Sequence, residues 1–403
     1  MKTVFYINCA DFGSTGKIIR CTAAEAKNQG WRSLLCAATL REQDPVFHRQ
    51  FTVSCRLRRA LTYRFSRLTG NKFGQSHLPT AQLLRQLRKE KPDVVHIHCA
   101  NGNFVNLYRL LAYLKQHRIP TVVTNHAEFF YTGNCDHAND CDRWMTGCGN
   151  CPQKYALMDR THHFWKKMRA AFSGHPNLVV TSVSPWVLSR ATASPILEGV
   201  RQELVLNGVD TDIFYPRQTL SLWQRYGIDP QGRQIVLYVT ACFYGDRPEK
   251  GSEYLLRLSE AMPDVLFVVA GDHTAGLTVP DNVRLLGRIS DQQELARLYS
   301  AADLTLITSR RETFSMPVAE SLCCGTPVVG FQAGGPESIA LPDYASFAAF
   351  GDVPALKELV NTALSTPRDP QTISTAATTK YNKHMMATQD IAIYDQLTEA
   401  AQP

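Results

Sequence analysis

Short apolar runs alternate with amphipathic stretches along almost the whole chain. In the first half the continuous apolar runs are Thr3–Asn8, Arg32–Ala37, Asp93–Cys99, Thr121–Asn125 and Leu178–Thr181. Helical spacing separates them at about 17–29, 80–90, 104–117 and 161–172. The second half repeats the scheme, with strands expected at Gln234–Thr240, Val265–Ala270, Val283–Leu286, Leu304–Ile307 and Pro327–Gly330. Its helices are expected at about 251–261, 291–300, 316–324 and 353–365. Continuous apolar strands alternating with helices predict parallel sheets covered on both faces. Two such series predict an α/β chain of two doubly wound, Rossmann-like domains facing across a cleft, with ligands at the carboxyl ends of the strands. The polar turn cluster Leu206–Pro216 marks the boundary, giving domains at 1–215 and 216–380. A last stretch, about 371–400, reads as helical, and its end, 381–403, is expected to pack back on the first domain.

Composition narrows the class. With 403 residues, 44% apolar and 20% charged, the chain is neither fibrous nor wholly disordered. No apolar run approaches a membrane span, and Met1–Asn8 is too short an apolar start for a secretory segment. The expectation is a cytoplasmic protein whose twelve cysteines are reduced.

Charge is unevenly spread. Residues 1–215 carry 28 Lys+Arg against 15 Asp+Glu, whereas 216–403 carry 15 against 21. The first half should therefore meet something anionic. The densest basic stretch is 56–68, where Leu57, Leu61, Phe65 and Leu68 fall on one helical face among arginines. Two readings stay open: a helix lying on a membrane surface, or a solvated helix whose stripe packs on its own domain. No zinc-finger or aromatic-basic module points to nucleic acid.

Three stretches carry candidate chemistry. Arg310–Glu320 follows an apolar strand and opens a helix, so its backbone N–H groups and partial positive charge suit a diphosphate. Glu320, one turn along, could take ribose hydroxyls, and Glu312 could reach a polar group further along the ligand; a capped helix with a surface Glu is the plainer reading. Asp246–Gly251 follows another strand, and Lys250 there could neutralise a departing diphosphate. Gly13-Ser14-Thr15-Gly16-Lys17 follows the first strand; it is not a P-loop, because the four-residue interval and the following Ser/Thr are missing.

A fourth stretch is rich in thiols. Cys135, Cys141, Cys148 and Cys151 lie within 17 residues of a loop spanning 126–152 and end in a CxxC knuckle. Four thiolates could hold a structural zinc with no open position; free cysteines or a redox-sensitive disulfide are the alternatives. His96 and His98, two apart on a strand, share one face.

Together, the Glu312–Glu320 segment, the first Gly-rich loop, Asn207–Pro216, Lys250-Gly251 and Gly334-Gly335-Pro336-Glu337 resemble the retaining glycosyltransferases of family 4, over residues 2 to about 385. The resemblance implies a GT-B fold, a nucleotide-diphosphate sugar donor on the second domain and an acceptor on the first. It implies that Glu312 contacts sugar hydroxyls, that Glu320 contacts the ribose, and that Phe314, Ser315 and Met316 offer backbone donors. It matches Lys250 to the phosphate-binding lysine, Gly16 to the first-domain loop and His126 to the active-site histidine, with Arg247 only a candidate for the family's arginine. The cysteine pattern is similar to that of members from bacterial exopolysaccharide and colanic acid-type clusters.

No Asp-x-Asp motif stands at a strand end, since Asp210-Thr211-Asp212 sits in the boundary turn. The expectation is thus a transferase that needs no catalytic cofactor or metal, peripheral on the inner face of the membrane, acting on a lipid-linked or oligosaccharide acceptor. The rival readings are a sugar-nucleotide epimerase of the same fold and a non-catalytic membrane-associated partner of a polysaccharide complex.

Overall fold

The structure, a computed structural model, describes residues 1–153, 156–219, 221–244 and 248–401. Two compact units divide the chain: Met1–Gly208 with His384–Pro403, and Val209–Lys383.

The first unit is built on a seven-stranded parallel sheet. Its strands are β1 (Thr3–Ala10), β2 (Arg32–Thr39), β3 (Arg49–Phe51), β4 (Val94–Ile97), β5 (Thr121–Asn125), β6 (Leu178–Ser182) and β7 (Arg201–Leu204), in the order β3-β2-β1-β4-β5-β6-β7. Strand order reverses between β1 and β4, which opens a crevice at their carboxyl ends. The second unit carries β8 (Ile235–Phe243), β9 (Leu266–His273), β10 (Val283–Gly287), β11 (Leu304–Ile307), β12 (Val328–Phe331) and β13 (Ala345–Ala348), ordered β10-β9-β8-β11-β12-β13. Its reversal falls between β8 and β11. Every strand pair in both sheets is parallel.

The central strands are buried on both faces, so their side chains are apolar without alternation; β4, β5, β11 and β12 have no exposed position. The strands missing from the sequence reading are β3, β7 and β13. These lie at sheet edges, where β7 (Arg-Gln-Glu-Leu) is half solvated and reads as polar.

Two boundaries differ from expectation. Residues 209–215 belong to the second unit, not the first. Backbone bonds between Val209 and Tyr381 (2.6 Å) and between Lys383 and Val209 (3.0 Å) fix them there. The Lys383 ammonium also pairs with Asp210 (2.6 Å) and Asp212 (2.8 Å), so this Asp-x-Asp is a structural clasp. The stretch 371–400 is not one helix either: Pro370–Tyr381 stops at Asn382, whose backbone is extended (ψ 129°), and Lys383–Ala400 begins anew. The later helix joins the core of the first unit through Met386, Ile391, Ile393, Tyr394 and Leu397, with Tyr394 edge-on to Trp31.

Among the described residues, no helix is long and apolar enough to cross a membrane.

Candidate active site

At the β8/β11 reversal, two loops from distant parts of the sequence meet. Lys250 follows β8 and Glu312 follows β11, and their side chains form an ion pair of 2.6 Å, each about one-fifth exposed. The backbone beneath them allows little variation. The Tyr238 hydroxyl donates to the Lys250 carbonyl (2.5 Å) and Thr308 Oγ1 to the Gly251 carbonyl (2.8 Å). Gly251 is left-handed (φ 71°), and a Cβ there would stand 2.1 Å from the Thr308 carbonyl oxygen, so only glycine fits.

The Glu312 loop is held as firmly. Its N–H donates to the Ala333 carbonyl (3.0 Å), while Gly335 N–H donates to the Glu312 carbonyl (2.8 Å). The Glu337 carboxylate accepts from the N–H groups of Ala333 (2.9 Å) and Gly334 (2.7 Å). Gly335 lets this strap approach, because a Cβ would meet Phe314 N at 2.6 Å.

The helix Met316–Cys323 starts at Ser315, a non-glycine residue in left-handed backbone (φ 76°) whose side chain makes no cap bond. Such strain persists where the surroundings impose it and concentrates at functional sites. The Phe314 side chain is buried edge-on to Tyr381, so only its peptide is left for a ligand. Ser315 is also buried, and Met316 is partly exposed. Glu320 is nearly buried and accepts from the Tyr299 hydroxyl (3.2 Å). The sequence reading did not include Tyr299, a tyrosine at helical spacing in a different helix, or Gly335 and Glu337 as a strap. Arg247 lies outside the described residues.

In the first unit, Gly16 lies in the first turn of the helix after β1. A Cβ on it would meet the Asp11 carbonyl at 2.5 Å, and the helix start has no side-chain cap. At the ends of β4 and β5 the histidines gather. His98 Nδ1 is 2.9 Å from His126 Nε2, with the rings stacked at 5.2 Å. His96 and His98 rings lie 3.9 Å apart. His96 is locked between Tyr394 OH (2.5 Å at Nδ1) and Thr124 Oγ1 (2.7 Å at Nε2).

Burial pushes all three imidazoles down, His126 to about 4 and His96 and His98 well below their usual value, so the cluster is neutral. His98 Nε2 is buried without a partner among the described residues. The sequence reading caught His126 but not its neighbour's hand in placing it, nor Tyr394 from the far end of the chain.

The thiol loop after β5 is anchored by a buried pair that the sequence did not advertise. Glu128, fully buried, meets Arg190 at 3.1 Å and accepts from Ala138 N–H (3.1 Å). Burial alone would raise its carboxyl, but His137, 3.8 Å away, and the Arg190 charge hold it below the usual range. The nearness of Cys151 and burial push the Cys135 thiol up, while the same neighbour lowers Cys151 to about 6. All four cysteines are half-buried free thiols, with Cys148 reaching the Thr132 carbonyl at 3.6 Å. Among the described residues, no three His, Cys, Asp or Glu side chains are gathered at metal-holding geometry.

Comparison with known proteins bears on both units. Residues 17–213 match the model described as Glycosyltransferase Family 4, and residues 228–380 match Glycosyl transferases group 1. The D-inositol 3-phosphate glycosyltransferases of Mycobacterium sp. (strain KMS) and Mycolicibacterium gilvum are 34% identical over 148 residues, 34% of this chain. The match covers only about a third of the length of these curated relatives (33% and 32%). Sucrose-phosphate synthase of Thermosynechococcus elongatus superposes with a TM-score of 0.71 at 18% identity, over 100% of both chains. HepE of Anabaena, solved with UDP, gives 0.67 at 16% identity over 98% of this chain and 100% of its own. WaaG, a glycosyltransferase involved in lipopolysaccharide biosynthesis, gives 0.62 at 16% over 99% of each. At these identities the solved structures speak for the fold alone: two Rossmann-like domains of the GT-B kind.

Proposed function

We propose that this chain, a glycosyltransferase built from a family 4 domain and a group 1 glycosyl transferase domain, moves a sugar from a nucleotide-diphosphate sugar to a hydroxyl of a lipid-linked glycan. The single observation that supports this most is the Lys250–Glu312 pair at the β8/β11 reversal, beside the uncapped start of the Met316–Cys323 helix. A cation, a carboxylate and backbone N–H groups at a switch point suit a diphosphate linked to a hydroxyl-rich ring.

In this reading Lys250 exchanges Glu312 for diphosphate oxygens and stabilises the charge that grows as the sugar–phosphate bond breaks. Glu312, released, accepts from sugar hydroxyls. Phe314, Ser315 and Met316 offer their N–H groups to sugar and phosphate. Glu320, steadied by Tyr299, receives the ribose, and a site for a ribosyl diphosphate agrees with the UDP bound to HepE, a protein of the same fold. In the first unit the Gly16 loop and the neutral His126 offer hydrogen bonds to sugar or acceptor.

The reaction is a same-face displacement. The C1–O bond to the diphosphate breaks as the acceptor oxygen bonds to C1, and the acceptor's proton passes to the departing diphosphate oxygen, so the anomeric configuration is kept. Lys250 and the helix N–H groups supply the charge stabilisation that a divalent ion gives other transferases. The protein works from the cytoplasmic face of the inner membrane, in cell-surface polysaccharide synthesis.

A panel of nucleotide-sugars with and without lipid-linked acceptors tests this: one donor should be consumed in an acceptor-dependent way, with an NMR coupling constant that reports retention. Consumption without acceptor, or none at all, overturns it. For the thiol loop, a structural zinc on Cys135, Cys141, Cys148 and Cys151 rests on spacing alone. About one zinc per chain in protein purified without chelator supports it; a content far below that dismisses it.

A further inference from the structure

The helix Arg56–Thr69 is amphipathic the wrong way round for a helix that only packs on its own domain. At about 100° per residue, Leu57, Leu61, Phe65 and Leu68 fall within an arc of about 80°, and all four point outward, with exposures of 71%, 57%, 59% and 54%. The side turned to the protein is polar. Ser66 is the helix's one buried residue, and Arg59 and Thr62, partly covered, flank it. Arg59 ties that side down by donating to Thr39 Oγ1 (2.7 Å). The neighbouring helix His77–Glu90 shows the ordinary arrangement, with Leu83, Leu84 and Leu87 buried.

Arg58 and Arg64 flank the outward apolar arc on its two sides, and the helix contains five arginines and no acid. The surface continues beyond its end. Gly70, the C-cap, lies beside Ala156 and Arg160, and the intervening Leu157 and Met158 are 75% and 62% exposed.

We propose that this face lies in the headgroup–acyl boundary of an anionic lipid bilayer, the helix parallel to the surface with its leucines and Phe65 inserted and its arginines on lipid phosphates. Charge complementarity selects this occupant. Large aliphatic and aromatic side chains bracketed by guanidiniums match a layer of acyl chains topped by phosphates. At 14 residues, about 21 Å, the helix cannot span the bilayer. The inference deepens the lipid-linked reading of the acceptor and rests on it for its purpose; the surface itself is argued independently of the Lys250–Glu312 site.

The test is sedimentation of the full chain with vesicles of phosphatidylcholine alone or mixed with phosphatidylglycerol. The wild type should pellet with the mixed vesicles, at least about tenfold more than with the neutral ones, and added salt should release part of it. Leu61→Asp with Phe65→Asp, and separately Arg58→Gln with Arg64→Gln, should each lower binding at least about tenfold. Both pairs are solvent-exposed, and unchanged thermal melting and nucleotide-sugar binding show that the fold and the other unit are intact. Equal binding to both vesicle types, equal binding by the variants, or a wild-type dimer that the Asp pair dissociates would overturn the proposal. Glu312→Ala keeps vesicle binding and loses turnover if both readings hold. Vesicle binding without any transferase activity in the wild type would sink the enzymatic reading and leave this one standing.

Discussion

The two strand-order reversals of this molecule are similar in backbone and opposite in chemistry. At β8/β11 the loops present a charged pair, Lys250 and Glu312, open to solvent by about a fifth. At β1/β4 and the adjoining β5 they present a stack of imidazoles that burial keeps neutral. The same parallel sheet thus supports an electrostatic site in one unit and an uncharged hydrogen-bonding site in the other. The difference comes from what stands behind each. Lys250 and Glu312 stand on loops fixed through backbone bonds, which leaves their charged ends paired with each other and partly open to solvent. His96 and His98 stand on and just after a strand with both faces covered, where a charged form would lose its solvation. On the proposed reading the charged site suits a diphosphate and the neutral site suits sugar or acceptor hydroxyls.

The sharpest way to break the contrast is at the charged pair. Lys250→Ala and Glu312→Ala should each cut turnover at least about 10²-fold, the usual loss for one transition-state contact, measured in steady state with the donor found by the panel. Near-normal rates in both would remove the site. Gly251→Ala tests the backbone beneath it. With φ at 71° and a Cβ 2.1 Å from the Thr308 carbonyl oxygen, it should cost about 2–3 kcal/mol in denaturant melts. An unchanged midpoint would mean the loop relaxes freely.

The neutral half is probed by pH. Asp390, fully buried on the C-terminal helix and hydrogen-bonded by Thr22 (3.1 Å), is raised by burial to about 7. Its carboxyl binds a proton more tightly folded than unfolded, so stability is greatest at low pH and is lost as pH rises through about 7. Asp390→Asn should abolish this slope and raise stability at pH 8 by on the order of 1–2 kcal/mol, read by melts from pH 5 to 8.

His126 works in the other direction. Depressed to about 4, it contributes stability that is present above about 6.5 and lost as pH falls through about 4. His126→Gln should flatten that acid limb by a smaller amount, and kcat of the wild type should show no ionisation of this group at pH 5–8.

Much of the scaffold is legible without coordinates. Thr121–Asn125 and Leu304–Ile307 appear at their expected bounds because doubly covered strands must be apolar at every position. Met316–Cys323 is legible from its preceding strand and Pro317 at the first turn. The edge strands β3, β7 and β13 are not, because three or four residues that include solvated positions leave too brief a hydrophobic signature, whereas the five-residue edge strand β10 is legible. Nor is the break at Asn382, since the helical pattern runs on through it and the stop is imposed by the Val209 pairing.

Sequence alone determined the two alternating α/β series and the arginine-flanked stripe at 56–68, and it offered Lys250, Glu312 and Glu320 as candidates; His126 entered only through the family resemblance. Such features are local: period, polarity and turn chemistry are written in neighbouring residues. The tertiary structure decided that Lys250 touches Glu312 across 62 positions, that Tyr394 fixes His96 across 298, and that the stripe at 56–68 faces outward. Those depend on strand order and on which side of a helix finds a partner, and no short-range pattern specifies either.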